Sequence, residues 1–301
     1  MRPAARSGRR GAGKIEPVRI DLHTHSTASD GTDTPAELIR NAAAAGLDVV
    51  ALTDHDTTAG WAEAVEALPP GLTLVRGMEM SCEGRGEDGW PVAVHLLAYL
   101  FDPADDAFAQ ERERLRGERT VRLRAIAEHM AADGLPVDPD AVMASAGPSA
   151  GRPHLARALV EAGVVPTVDA AFQDLLAPHG KYYVEKADTP LPRAVEMVRS
   201  AGGVTVVAHA RARKRGRLLA LDHIRELAEL GLGGLELDHP DHSAADREVL
   251  AGLAGELGLF TTGSSDYHGS NKTIRLGEFT TEPTQFEILV GKSSGVPVIS
   301  A

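Results

Sequence analysis

The stretch IDLHTHSTASDG, residues 20–31, decides how the rest of the chain is read. It sets His23, His25 and Asp30 within eight residues, directly behind an apolar run over 18–22 that reads as a strand. Two histidines one residue apart on an extended backbone point to the same side, because strand side chains alternate with period two. Any one of these side chains alone reads as a solvated polar group. Together, at the end of a strand, they have the donor geometry of a metal half-site.

Working outward, β-like runs recur over 48–52, 72–78, 92–99, 204–208, 234–237 and 259–262, which with the first makes seven. Between them lie segments of helical period. Thr34-Pro35-Ala36-Glu37 offers an N-cap, a proline at the first helical position and a capping-box glutamate, with Leu38, Ile39, Ala42 and Ala43 on one face and Gly46 as the stop. Further helices are expected over 58–68, 191–201, 221–230 and 244–257. Alternating strands and helices imply an α/β fold with a parallel sheet, and seven such units suit a closed or distorted barrel better than a narrow open sheet. Between the fourth and fifth strands the pattern changes to helices alone, over 105–133, 153–162 and 167–176. The expected organisation is a barrel domain from 18–101 and 190–301, with a helical insertion over 102–189 placed to cap an active site. The charged run from Glu111 to Arg124 on the first insertion helix reads as a solvated face laced with opposite charges.

Composition narrows the function classes. The chain has 301 residues, 43% of them hydrophobic, which is enough for a sizeable core, and no apolar run of membrane-spanning length. The basic start, MRPAARSGRRGAGK, has no apolar segment behind it and reads as a disordered tail over 1–17, not a signal peptide, so the cytoplasm is expected. The single cysteine, Cys82, offers neither an internal disulfide nor a thiolate cluster and is expected to be packed. A formal charge of −12 argues against broad binding of duplex DNA, whose affinity comes from surplus Lys and Arg. It leaves room for a small anionic substrate and for bound cations.

The candidate ligands fall at strand ends. His23 and His25 follow the first strand, His55 in TDHD (53–56) the second, and Glu79 the third. His95 lies within or near the end of the fourth, His209 follows the fifth, and Asp266 and His268 in SSDYHG follow the seventh. In a parallel barrel that end is the catalytic face, where side chains converge. An all-nitrogen and oxygen donor set suits zinc, manganese, iron or magnesium, and about nine groups exceed the needs of one ion. Two or three clustered ions sharing a hydroxide, and stabilising attacking and leaving oxygens, point to hydrolysis of a phosphate ester.

These motifs, DLHTHS (21–26), SDG (29–31), TDHD (53–56), GMEMS around Glu79, AVHLLAY around His95, AHA around His209 and SSDYH (264–268), resemble the polymerase and histidinol phosphatase (PHP) family. The resemblance implies a distorted (β/α)7 barrel and two or three divalent ions, manganese foremost. It implies one metal on His23, His25, Glu79 and Asp266, a second on Asp30, His55 and His209 with Glu79 bridging, and a third on His95 and His268. Glu79, His55, His209 and Asp266 would then carry catalysis. Asp30 stands where many members have histidine, and Ala210 where some have proline. The SDG form, and a segment like GRPHLAR (151–157), resemble the branch that removes the 3′-phosphate from nucleoside 3′,5′-bisphosphates and trims short 5′-phosphorylated single-stranded RNA.

On a helix starting near Pro153, His154 and Arg157 share a face with Arg152 just before it, and a helix N-terminus with arginines receives phosphate. Lys181 and Tyr183 in GKYYVE are candidate substrate contacts, as is His239 at the rim beside His242. The run RARKRGR (211–217) reads either as a phosphate attractor or as a solvated loop. Asp54 and Asp56 are candidates for orienting ligands, and His129, His179 and His223 for structural roles. Histidinol-phosphate hydrolysis and a non-catalytic metal-binding module are the alternative readings.

Overall fold

A computed structural model describes residues 17–178 and 180–301. The tail expected over 1–17, save its last residue, and the structural role expected for His179 lie outside the described residues. In chain order the elements are β1 (Ile20–Asp21), α1 (Pro35–Ala44), β2 (Val49–Leu52), α2 (Trp61–Glu66), β3 (Thr73–Arg85), β4 (Pro91–Tyr99), α3 (Asp106–Ala132), α4 (Pro139–Ser145), α5 (Arg152–Glu161), α6 (Val168–Gln173), β5 (Thr189–Pro190), α7 (Leu191–Ser200), β6 (Val204–Val207), α8 (Leu221–Glu229), β7 (Gly234–Asp238), α9 (Ala244–Leu257), β8 (Phe260–Gly263), α10 (Pro283–Lys292) and β9 (Ile299–Ser300). The capping box starting α1 is formed, Glu37 N–H donating to Thr34 Oγ1 at 3.2 Å and Thr34 N–H to Glu37 Oε2 at 2.8 Å. The short helices α4 and α10, and the two-residue strands β5 and β9, were not foreseen.

Seven strands follow one path, β1-β2-β3-β4-β6-β7-β8, with β5 and β9 attached to β3. The expectation of a wholly parallel sheet is corrected at β4, which pairs antiparallel with both β3 and β6. Residues 86–90 join β3 to β4, too short a link for the crossover of a dozen or more residues that parallel strands need. The fold is therefore a mixed α/β structure around a nearly closed, barrel-like sheet. The seam between β1 and β8 carries a single parallel bridge, Thr24 to Tyr267, with His25 N–H donating to Tyr267 O at 2.9 Å. A buried carboxylate reinforces it: Asp21 accepts from Ser265 N at 3.1 Å, Ser265 Oγ at 2.6 Å and Gly277 N at 2.9 Å.

Period two sorts the strand residues into layers. Val49 and Ala51 join Ile20, Leu22, Val75, Leu97, Tyr99 and Val206 in one cluster, which is the inside of the sheet. Val50 and Leu52 face the other way, packing with Leu38, Ile39, Val195, Val198, Leu227 and Leu250 of the surrounding helices. Each such side chain, fully buried, contributes about 1.5–3 kcal/mol. Helices α3 to α6 carry a cluster of their own, including Leu123, Ile126, Met130, Val142, Leu155 and Leu159. The long α3 belongs to both bodies, since its Phe108 and Leu115 pack in the barrel layer. No helix among the described residues is long and apolar enough to cross a membrane.

Candidate metal centre

The register of β3 and β4 places the first ligands. Ser81 opposes His95 and Glu79 opposes Leu97, so Glu79 and His95 share the inward face above Leu97 and Tyr99. Because β4 runs antiparallel, His95 comes from the middle of the strand, not its end, and still arrives at the mouth shared by the C-terminal ends of the parallel strands. Three of the four non-glycine residues with positive φ among the described residues lie at this mouth: Asp56 (53°), His209 (30°) and Asp266 (54°). Left-handed backbone costs energy for such residues and persists where surrounding bonds impose it.

All nine sequence-predicted ligands are brought together. Glu79 is the hub: its Oε2 lies 3.1 Å from His23 Nε2, 3.1 Å from His25 Nε2 and 3.2 Å from His55 Nδ1. Its Oε1 lies 2.8 Å from His95 Nδ1 and 3.0 Å from His209 Nε2. Asp30 is a second hub, 3.3 Å from His268 Nε2, 3.5 Å from His55 Nε2 and 3.6 Å from His25 Nδ1. Asp266 Oδ1 sits 3.6 Å from both His23 Nε2 and His25 Nε2. Donor atoms within 4.8 Å of one another form three groups: His25, Asp30, His55 and His268; His23, His25 and Asp266; His55, Glu79 and His95. These groups are arranged differently from the second and third sets that the resemblance implied. His209 contacts Glu79 and His95, whereas His268 joins Asp30 and His55.

Hydrogen bonding tests whether cations fit. His23 Nδ1 lies 3.0 Å from the Glu236 carboxylate and His268 Nδ1 lies 2.9 Å from the Asp266 carbonyl. Only acceptors stand there, so each Nδ1 carries a proton and each Nε2 can turn a lone pair toward Glu79 or Asp30. His23 Nε2, His25 Nε2 and His55 Nδ1 are buried without a hydrogen-bond partner among the described residues. Lone pairs aimed at carboxylates repel unless a cation lies between them, so the donor set fits divalent metal. Burial pushes the imidazoles of His25 and His55 down, and burial together with the Arg215 cation holds His209 at about 3, leaving these nitrogens free to ligate. Burial would also lower His23, but Glu79, Asp266 and Glu236 outweigh it and raise it well above its ordinary value. Three carboxylates around one ring demand a cation, proton or metal. Burial likewise would raise Glu79, yet His95, His23 and His55 hold it well below the usual carboxylate range.

A ring of supporting residues fixes this cluster, and several escaped the sequence reading. Glu236, fully buried on β7, accepts from His209 N–H at 2.7 Å as well as facing His23, and so holds the strained His209 backbone. Asp54 accepts from Ser26 N at 2.8 Å and Ser26 Oγ at 2.7 Å, and Asp56 accepts from Ser81 N and Oγ at 2.7 Å each. With Asp21 and Ser265, these make three Asp–Ser clamps between neighbouring strand ends, each one or two residues from a candidate ligand. His239 Nδ1 accepts from Asp241 N–H at 3.0 Å, so its Nε2 proton faces Asp266 Oδ2 at 3.2 Å, a supporting position and not a ligand. His242 is a strut, Nδ1 facing Leu237 O at 2.9 Å and Nε2 accepting from Arg211 N–H at 3.2 Å.

The helical segment reaches the mouth through arginines. Arg119 is paired with Asp56 and donates to Ser81 Oγ at 2.7 Å, which corrects the reading of 111–124 as wholly solvated. Arg122 Nε is buried and finds no partner among the described residues, and its guanidinium lies 5.5 Å from the Tyr183 ring. Burial, then the neighbouring Arg122 and Arg119 charges, pulls Arg152 down to about 10. Arg157 Nη1 stands 3.5 Å from Asp30 O. His154 is spent in part on capping α5, Nδ1 accepting from Gly151 N–H at 3.2 Å. Lys181 is 70% exposed and paired with Asp133 at 2.6 Å, and does not join the cluster.

Comparison with known proteins agrees with this geometry. The sequence matches the PHP domain over residues 21–135. It is 34% identical to a 5′-3′ exoribonuclease of Haemophilus influenzae, covering 86% of this chain and 93% of that protein. It is 35% identical to a 3′,5′-nucleoside bisphosphate phosphatase of Chromobacterium violaceum, covering 83% and 87%. A solved structure from Bifidobacterium adolescentis, described as a metal-dependent phosphoesterase, superposes with a TM-score of 0.84 at 36% identity over 91% of this chain and 96% of that one. Similarity along most of both chains, joined to a buried His/Asp/Glu cluster with orphaned imidazole nitrogens, places this chain in the PHP family of metal-dependent phosphoesterases, hydrolases of phosphate esters.

Proposed function

We propose that the chain removes the 3′-phosphate of nucleoside 3′,5′-bisphosphates and trims short 5′-phosphorylated single-stranded RNA from its 5′ end, in the cytoplasm. The observation that carries the reading is the pairing of two anion-receiving sites: a cluster fit for divalent cations and, beside it, guanidiniums of the helical segment whose charges depress one another. A monophosphate such as histidinol phosphate would leave the second site unused. The names of the Chromobacterium and Haemophilus relatives agree with the same choice.

In this reading residues 102–189 form a cap over a barrel built from 18–101 and 190–301. Two or three divalent ions, manganese foremost, are held by His23, His25, Asp30, His55, Glu79, His95, His209, Asp266 and His268. Bound metal supplies Lewis acidity toward the phosphoryl oxygens and lowers the pKa of a water. Glu236 keeps His23 in the tautomer that presents Nε2, and the Asp–Ser clamps hold the strand ends that carry Glu79 and Asp266 in place. Arg152, Arg157 and Arg122 receive the phosphate that is not hydrolysed, with Arg119 tying their helix to the mouth. His154 shapes the start of α5.

Phosphate release is to be measured with manganese from a nucleoside 3′,5′-bisphosphate, a 5′-phosphorylated oligoribonucleotide, a cyclic phosphodiester and histidinol phosphate, side by side. The expected order puts the bisphosphate first. A preference for histidinol phosphate or for the cyclic ester overturns the assignment, and release from none of them would favour a metal-binding module without catalysis.

A further inference from the structure

We propose that Arg215 and Lys272 form a cation clamp for the phosphoryl group undergoing hydrolysis, gripping its non-bridging oxygens beside Asp266. The proposal rests on the reading that this group is hydrolysed at the His/Asp/Glu cluster.

The run RARKRGR divides cleanly in space. Arg211 is paired with Glu87, Arg213 donates to Asp246 at 2.7 Å, and Arg217 donates to Asp88 at 2.7 Å, so three of its cations turn toward carboxylates away from the cluster. Lys214 lies exposed. Arg215 alone turns inward, its Nη2 donating to Asp266 Oδ2 at 2.7 Å and its Nε to Asp241 Oδ2 at 2.9 Å. From the loop after β8, Lys272 Nζ donates to the same Asp266 Oδ2 at 2.6 Å.

Asp266 thus has two distinct sides. Oδ1 faces His23 and His25 within a candidate metal group, while Oδ2 is approached by Arg215, Lys272 and His239 Nε2 together. One carboxylate oxygen offers about two lone-pair directions. Three donors exceed that number, so at least one cation is in surplus at a ligand already served by a neutral imidazole. Neither cation is sealed in: the Arg215 side chain is 36% exposed and that of Lys272 31%. Were a metal held with Asp266 Oδ1 among its ligands, a cation hydrogen-bonded to Oδ2 would stand within reach of the same phosphoryl group. Charge-assisted donors placed there stabilise an anion that develops more charge as it reacts.

The test is calorimetric titration of the manganese-loaded protein with inorganic phosphate, alongside manganese content, for wild type and for Arg215→Met and Lys272→Met, which keep side-chain bulk. The expected result is phosphate affinity weakened by roughly 10- to 100-fold in each variant with manganese content unchanged, and partial recovery in Arg215→Lys. Lys214→Met, which removes an equal charge from the same segment, should leave phosphate binding as in wild type. Unchanged phosphate affinity in both variants, or a loss that tracks manganese loss, overturns the clamp and makes the two cations mere neutralisers of Asp266. An equal effect from Lys214→Met would also overturn it, since a diffuse field would then suffice. Failure of the functional reading looks different: wild type would release phosphate from no ester, whatever the variants bind.

Discussion

At Glu236 one carboxylate fixes two candidate ligands, receiving the His209 backbone N–H on one oxygen and facing His23 Nδ1 with the other. Replacing it by glutamine keeps the shape but puts an amide where His23 needs an acceptor, so the ring loses its preferred tautomer. Removal of such a partner costs about 10- to 100-fold in metal affinity. Glu236→Gln should therefore bind manganese roughly that much more weakly, read by titration against a chelating dye, with the fold intact by circular dichroism; wild-type affinity would show that His23 orients itself. Glu236 and Asp21 also mark where sequence reading stopped at this scale. The nine ligands stand out because His, Asp and Glu gather in short motifs at strand ends. Glu236 sits inside the run GLELD and Asp21 inside IDL, where a lone carboxylate among apolar neighbours is passed over. The burial of each carboxylate on its strand is the clue, since a charge there requires partners.

Among the elements, α3 departs furthest from its sequence reading. Its ion pairs Glu111–Arg114 and Glu113–Arg116 do lie on the surface, as a solvated face predicts. Yet Phe108, Arg112, Leu115, Arg119, Leu123, Ile126 and Met130 recur at helical spacing, and the arginines among them face inward with the apolar residues. Long aliphatic stems let arginine occupy such a stripe, which is why counting charges hid the buried face. Arg119 is the joint between the segment 102–189 and the mouth, and its removal leaves the buried Asp56 without its directly bonded cation, with Lys186 as the remaining positive charge acting on it. Breaking a pair of this kind costs about 3–5 kcal/mol. Arg119→Ala should lose that much in urea unfolding, and Arg119→Lys should recover only part, lacking the fork that spans Asp56 and Ser81. A loss under about 1 kcal/mol would mean that water replaces the pair. The β3–β4 hairpin was legible in principle: Asp88-Gly89 between two apolar runs is a turn signal, and no helical period separates the runs. Counting strands without weighing the length of their connections produced a parallel sheet in place of a mixed one.

For the whole molecule, the barrel-like sheet and the helical segment were readable because strand and helix periods alternate and then cease to, whereas the contact that holds the seam was not, because Asp21 meets Ser265 across 244 residues of sequence. The assembled mouth concentrates opposing charges that no local pattern reveals, and this makes the metal-free protein sensitive to acid. His209 is held at about 3, and His25 and His55 are also pushed down, so from about pH 6.5 downward the unfolded chain takes up protons that these folded residues refuse. Glu79, Asp30 and Asp266, all held low in the folded state, add the same sign below about pH 4.5. Stability from these groups is present at neutral pH and lost as pH falls. His23 opposes them, its raised pKa giving stability that is full below about 6.5 and is lost as pH rises through its folded value, and the Asp21 and Asp54 carboxyls, which burial raises, oppose them in the same sense from about pH 4 upward. The depressed groups outnumber these three, so the urea midpoint of chelator-treated protein should fall from pH 6.5 toward 3.5. Saturating manganese should raise that midpoint at neutral pH, reflecting a stabilisation of about 2.7 kcal/mol for each site filled at a hundredfold excess over its dissociation constant. The gain should vanish on acidification, as protons displace metal from the same nitrogens. A metal-free midpoint that stays level across this range, or one that manganese leaves unmoved at pH 7, would mean that the cluster is held by packing alone and not by its charges.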